Sequence, residues 1–262
     1  MNHLIKSEIR KLVYTRSFWF LILGAAALSA LSSAASPYAM SRIATSKVMF
    51  GNANLIDSLY SKAVGGYLFV VILGVLVMAG EFRHGTAVAT FLTAPKRASV
   101  LIAKIITASL AGVLTMVVSI AVGVLAAKIA LSFYPEAVAP HWEVFLNLAA
   151  VAVVSGVVLS LFGVAIGTLI RNQMVAVVSV IIWMNIIERL ITVFLPDWGK
   201  WLPTGALTGM MALDLHFTSN RIGLNLNTTD YLDPWSSTAV LVGYGVAFAA
   251  IAIATSLRRD ID

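Results

Sequence analysis

FLNLAAVAVVSGVVLSLFGVAIGTLI, residues 145–170, carries no charged side chain. A hydrocarbon core of about 30 Å is crossed by about 20 mostly apolar residues in a helix. This stretch is long enough to cross, and too apolar all round to be the half-buried helix of a soluble domain. Gly156, Ser160, Gly163 and Gly167 recur within it at four- and three-residue steps. Small residues so spaced let a second helix approach closely. The spacing leaves open whether that partner lies in the same chain or in another.

Five more stretches have this character. Working outward from 145–170, they are 100–131, 174–195, 65–80, 237–257 and 18–36. The chain of 262 residues is 60% hydrophobic and 11% charged, whereas soluble domains average about 25% charged. The expectation is an all-α integral membrane protein, a single transmembrane domain over residues 1–262 with six transmembrane helices. The stretch 100–131 is longer than one perpendicular crossing requires, which puts its first turns near Lys104 at the interface. The small-residue end of the first stretch, Ser32 to Ser36, imitates a signal-peptide cleavage region. Its apolar run is too long for that reading, and the segment is expected to remain as a span.

Residues 2–16 form an amphipathic segment. At 100° per residue Ile5, Ile9, Leu12 and Val13 share a face, with Lys6, Ser7, Arg10 and Lys11 opposite. This predicts a helix lying in the membrane interface. Residues 37–62 read as a polar connector.

The charges orient the spans. With both termini in the cytosol, that side holds Lys6, Arg10, Lys11, Arg16, Arg83, Lys96, Arg97, Lys104, Arg171, Arg258 and Arg259. These are eleven of the 18 basic residues, against Glu8, Glu81, Asp260 and Asp262 of the 12 acids. Positive charge collects on the cytosolic side of membrane proteins. The formal charge of +6 is therefore a topology signal, and no nucleic-acid partner is expected.

Several chemistries are excluded. The chain has no cysteine, which removes disulfides, thiol catalysis and cysteine metal sites. It contains no G-x-x-x-x-G-K-[ST], no H-E-x-x-H and no G-x-S-x-G. His3, His84, His141 and His216 are far apart in sequence, and Gly243-x-Gly245 lies inside an apolar span. No catalytic, cofactor-binding or metal-ligating residues are expected, and the chain is not read as an enzyme.

Three other features remain. Glu188 and Arg189 lie in the outer part of the fifth span, after Asn185. Intramembrane charge is costly and usually faces protein or a wet cavity. Asn185, Glu188 and Arg189 are candidates to line the outer end of a transport path, the alternatives being a polar tie to residues 196–236 or snorkelling. Lys128 sits where snorkelling is expected. In the connector 196–236, Trp198 and Trp201 flank charges as interfacial anchors do. Residues 203–217 are apolar but too short to cross, which predicts a short outer or re-entrant helix.

The third feature is the loop after the second span: Glu81-Phe82-Arg83-His84-Gly85-Thr86, an apolar turn through Phe91, then Pro95-Lys96-Arg97. Thr86 can cap a short helix, and Pro95 stops it. This order of residues resembles the first cytoplasmic loop of ABC-2-type ABC transporter permeases, in particular the small Gram-positive permeases that export drugs, bacitracin-like peptides or lantibiotics. The topology fits that likeness along the whole chain.

The resemblance implies that Glu81, Phe82, Arg83, His84, Gly85, Thr86 and Phe91 form an ATPase-coupling loop. It also implies that Ile5, Ile9, Leu12 and Val13 belong to a connecting helix. ATP and Mg would be bound by a separate ATP-binding cassette subunit, with no cofactor in this chain. A second permease copy, forming a homodimer, and the lipid bilayer would be the other partners. The protein would be a multi-pass efflux permease of the bacterial cell membrane, conferring antibiotic resistance or moving an amphiphilic drug, peptide or lipid-like cargo. The competing reading is an ion-coupled secondary transporter or another non-ABC membrane protein. Such a carrier needs acids in mid-span, and Glu188 is the one strong acid deep in a span.

Overall fold

The computed structural model describes residues 2–43, 50–83, 97–170, 172–211 and 231–258. Among the described residues there is no strand, and almost all are helical. The chain is an all-α membrane protein. Six helices are long and apolar enough to cross a bilayer: Arg16–Arg42, Ala53–Gly80, Ser99–Leu131, Trp142–Leu169, Gln173–Phe194 and Pro234–Ala254, here spans 1 to 6. Each of the six stretches found in the sequence falls on one of them. The N-terminal amphipathic helix is present over Asn2–Tyr14.

Two helices extend well past their apolar runs. The helix of span 1 continues through Pro37 to Ile43, where the sequence suggests a connector. Pro37 has no N–H and so cannot bond the carbonyl four residues back. A neighbouring span or a serine hydroxyl can re-satisfy such a group in a membrane helix. Span 2 begins earlier than expected, with a helix Ala53–Ser61 capped by the Asn52 side chain. It then passes through a 3-10 turn, Lys62–Gly66, into the helix Tyr67–Arg83.

The 3-10 turn is held by serines of span 1. The Ser29 hydroxyl donates to the Ala63 carbonyl, and Ser32 Oγ donates to the Lys62 carbonyl over 2.9 Å. From the other side, Ser119 Oγ of span 3 donates to the Ala25 carbonyl of span 1 over 3.1 Å. These hydroxyls bond main-chain oxygens between the spans, and the Ser29 and Ser119 bonds are buried.

Span 4 is the centre. In its most apolar stretch 67% of residues are buried within the protein, against 22% in spans 5 and 6. It packs on spans 2, 3 and 6, and span 1 packs on span 3. The glycines make this possible. A Cβ on Gly156 would sit 2.6 Å from the Val113 Cα of span 3. One on Gly163 would sit 2.8 Å from the Val75 backbone nitrogen of span 2. The small-residue steps of span 4 thus serve contacts inside one chain. Around them Val71, Val75, Met116, Leu159 and Leu241 form the main buried core.

The end of the bundle away from the N-terminal helix has its own cluster of Phe50, Ile56, Leu59, Tyr60 and Leu131, with Phe50 stacked on Tyr134 at 4.5 Å between ring centres. Asp57 ties this cluster to span 4: it accepts from the His141 backbone N–H at 2.9 Å and meets the His141 ring Nδ1 at 2.7 Å.

Candidate functional site

The starts of spans 1, 3 and 5 and the end of span 2 come together at one end of the bundle. The N-terminal helix lies across it, against span 3 and, less extensively, span 1. Its four expected apolar contacts divide. Ile5 and Leu12 are half-buried, while Ile9 and Val13 are exposed at 38% and 41%. The residue that this helix buries is Glu8. Glu8 lies three residues after Ile5 and four before Leu12, so the three share one stripe.

Glu8 makes two ion pairs. Its Oε2 is 2.7 Å from the Lys104 Nζ of span 3, and its Oε1 is 2.7 Å from the Lys11 Nζ. Lys104 is 1% exposed, so the N-terminal helix seals a cation at the mouth of span 3. Burial alone pushes the Glu8 carboxyl up. The charges and hydrogen bonds of Lys104 and Lys11 more than offset this, and Glu8 is held below the ordinary carboxylate range. From the sequence Glu8 is only a counted charge, and Lys104 a counted charge that marks the interfacial turns of the third span. The signal for a pair was an acid on an otherwise basic helix and a lysine inside an apolar run at the same depth.

Of the expected coupling loop, Glu81, Phe82 and Arg83 form the last turn of the span 2 helix, and their side chains are not described. His84, Gly85, Thr86 and Phe91 lie outside the described residues.

At the opposite end, span 5 is an α-helix over Gln173–Ile182, a π-turn over Trp183–Ile187 and an α-helix over Glu188–Phe194. Single π-turns often mark functional positions. Here the turn sets Glu188 inward, and Glu188 is fully buried. Its Oε2 accepts from the Thr204 backbone N–H at 3.0 Å and from the Thr204 hydroxyl. Thr204 is in the first turn of the short helix Pro203–Met210, whose own N-cap residue, Leu202, has no side chain able to cap. Glu188 supplies that cap from another element. The geometry is that of a polar tie between span 5 and the outer connector. The short outer helix expected within 203–217 is present as Pro203–Met210, and residues beyond Met211 lie outside the described residues up to Tyr231.

Asn185 and Arg189 are on the exposed side of span 5. Asn185 Nδ2 donates to the Ile181 carbonyl at 3.1 Å. Arg189 lies within electrostatic reach of Lys62 and Tyr67 on span 2. The three candidate path residues therefore do not converge: Glu188 turns into the protein, while Asn185 and Arg189 face out of it.

No protein-family model matches the chain, and no curated protein matches it.

Proposed function

We propose that this chain is the membrane-spanning permease subunit of an ATP-driven transporter of the ABC-2 type, working with a separate ATP-binding cassette ATPase. The observation that carries the reading is the ion-paired seat of the N-terminal helix on the first turns of span 3. Residues 84–96, whose sequence continues the likeness to a coupling loop, join span 2 to span 3 in chain order. A force applied to that loop enters the span to which Glu8 and Lys104 fasten the interfacial helix. A coupling element needs such a stiff end.

The bilayer is that of a bacterial cell, with both termini cytoplasmic. ATP and Mg bind the partner ATPase. The exposed, little-buried face of span 5 carries Asn185 and Arg189 among apolar residues. Polar groups at that depth usually face protein or water, which favours a second copy of the chain there and a path between the copies. The cargo class, an exported amphiphilic drug, peptide or lipid-like molecule, rests on the resemblance alone. An ion-coupled carrier is the weaker reading, because Glu188 already serves as a helix cap.

The test is co-purification of the full chain from its native membrane. An ATP-binding protein should accompany it, and changing Arg83 and Thr86 to Ala should lower that recovery several-fold. Transport by the purified chain in vesicles, driven by an ion gradient with no ATPase present, would overturn the proposal.

A further inference from the structure

A cavity of about 500 Å³ opens beside the Glu8–Lys104 pair. Ligand sites of small molecules commonly measure about 300–1,000 Å³. One wall is apolar: Leu12, Phe18, Leu21, Leu73, Leu76 and Val77. The lining also carries the polar side chains of Glu8, Lys11, Lys104, Thr107 and Gln173. The cavity is thus amphiphilic. It lies at the interfacial depth, between the first turns of spans 1, 3 and 5 and the last turns of span 2.

Thr107 gives the decisive detail. It is 2% exposed and lines the cavity, yet its Oγ1 has no hydrogen-bond partner. Threonines in helices commonly bond back to the preceding turn, and this one does not. A buried hydroxyl left unsatisfied is destabilising, so the site is built to meet an acceptor. Thr107 stands three residues beyond Lys104, about 4.5 Å deeper along span 3. An occupant therefore offers one polar group at the level of the lysines and a second, an acceptor, one turn further in. Beyond that it offers a hydrocarbon chain to Leu21, Leu73 and Leu76.

We propose that this cavity binds one anionic glycerophospholipid from the cytosolic leaflet. Its phosphate sits at the mouth, an ester carbonyl accepts from Thr107, and one acyl chain fills the apolar wall. A free fatty acid has its acceptors at one level only and fits the two-level arrangement less well. The anionic preference follows from the charges that line the cavity, Lys11 and Lys104 against the single carboxylate of Glu8, since basic residues at a membrane surface attract acidic lipids. This inference rests on the membrane embedding and on the cytosolic placement of this end, and holds whether or not the transporter reading does.

Native mass spectrometry of the full chain in a neutral detergent tests it, with added phosphatidylglycerol, phosphatidylcholine or oleate. One phosphatidylglycerol should bind in a saturable step, at least several-fold more tightly than phosphatidylcholine or oleate. Thr107→Val keeps the shape and removes the donor, and should weaken binding roughly tenfold. Leu76→Trp should abolish the step by filling the cavity. Thermal unfolding of each variant reports folding, and Leu76→Phe replaces the tryptophan if that variant is unstable. Equal binding of phosphatidylcholine, preferential binding of oleate, or phosphatidylglycerol binding untouched in folded Thr107→Val and cavity-filled variants overturns the proposal.

Discussion

Glu8 holds the N-terminal helix in place by a charge that must stay ionised. Its folded pKa is depressed, so the stability it contributes is fully present above the ordinary carboxyl value of about 4.5 and is lost as pH falls below it. Thermal unfolding in detergent should therefore show an acid limb below about pH 4.5 that shrinks in Glu8→Gln. At neutral pH the same variant should cost roughly 1.5–3 kcal/mol, the range for a hydrogen bond to a charged group. An unchanged melting temperature at both pH values would refute this role. Each partner stood out in the sequence, but their pairing did not. Glu8 and Lys104 are 96 positions apart, and only the angle at which one helix crosses another brings them together. The helix itself was legible, because periodicity is local. Which of its apolar residues would meet protein was not: Ile9 and Val13 satisfy the same period as Ile5 and Leu12, but lie on the side away from span 3.

At the scale of elements, two contacts make opposite demands on substitution. Gly163 of span 4 is pressed against the backbone of span 2, which cannot move aside as a flexible side chain can. Gly163→Ala should destabilise by about 1–3 kcal/mol, the usual cost of overpacking. Gly243 of span 6 has nothing within 4 Å of a Cβ, and Gly243→Ala should be neutral or slightly stabilising. Melting of the two variants in one detergent decides between them, and equal losses would refute the glycine seam.

The cap on Pro203–Met210 gives a third prediction. Glu188→Gln keeps an acceptor for Thr204, whereas Glu188→Leu removes it. Losing a cap costs about 0.5–2 kcal/mol. Amide hydrogen exchange at Thr204 should rise several-fold in Glu188→Leu and much less in Glu188→Gln. The sequence suggested an outer helix here and offered a polar tie as one use of Glu188. It could not say that Glu188 ties that helix specifically, since the π-turn at Trp183–Ile187 resets the facing of every residue after it.

For the whole molecule, hydropathy was enough to find six spans, because apolar length is an additive property of a segment. It misplaced the ends at Pro37 and Ala53, where helix continues past the apolar run through packing against neighbours. Orientation is open to direct test, and the absence of native cysteine makes that test clean. Single cysteines at Asp233 or Trp235 should react with a membrane-impermeant thiol reagent on intact cells. Cysteines at Thr15 or Asn172 should react only after permeabilisation. The reverse pattern would invert the topology and move the Glu8–Lys104 seat to the outside.

The central position of span 4 also bears on how the protein is made. Gly74 and Gly112, on spans 2 and 3, are shaped to receive the backbone of span 4, yet both precede it in chain order. Until Trp142–Leu169 enters the bilayer, those two grooves face lipid, and the three spans already inserted share only the small buried cluster of Phe18, Ile22, Leu73 and Ala111. The nascent protein thus passes through a half-assembled stage that lasts until span 4 arrives. A chain ending before Trp142 is expected to be cleared by membrane proteases far faster than one ending after Leu169.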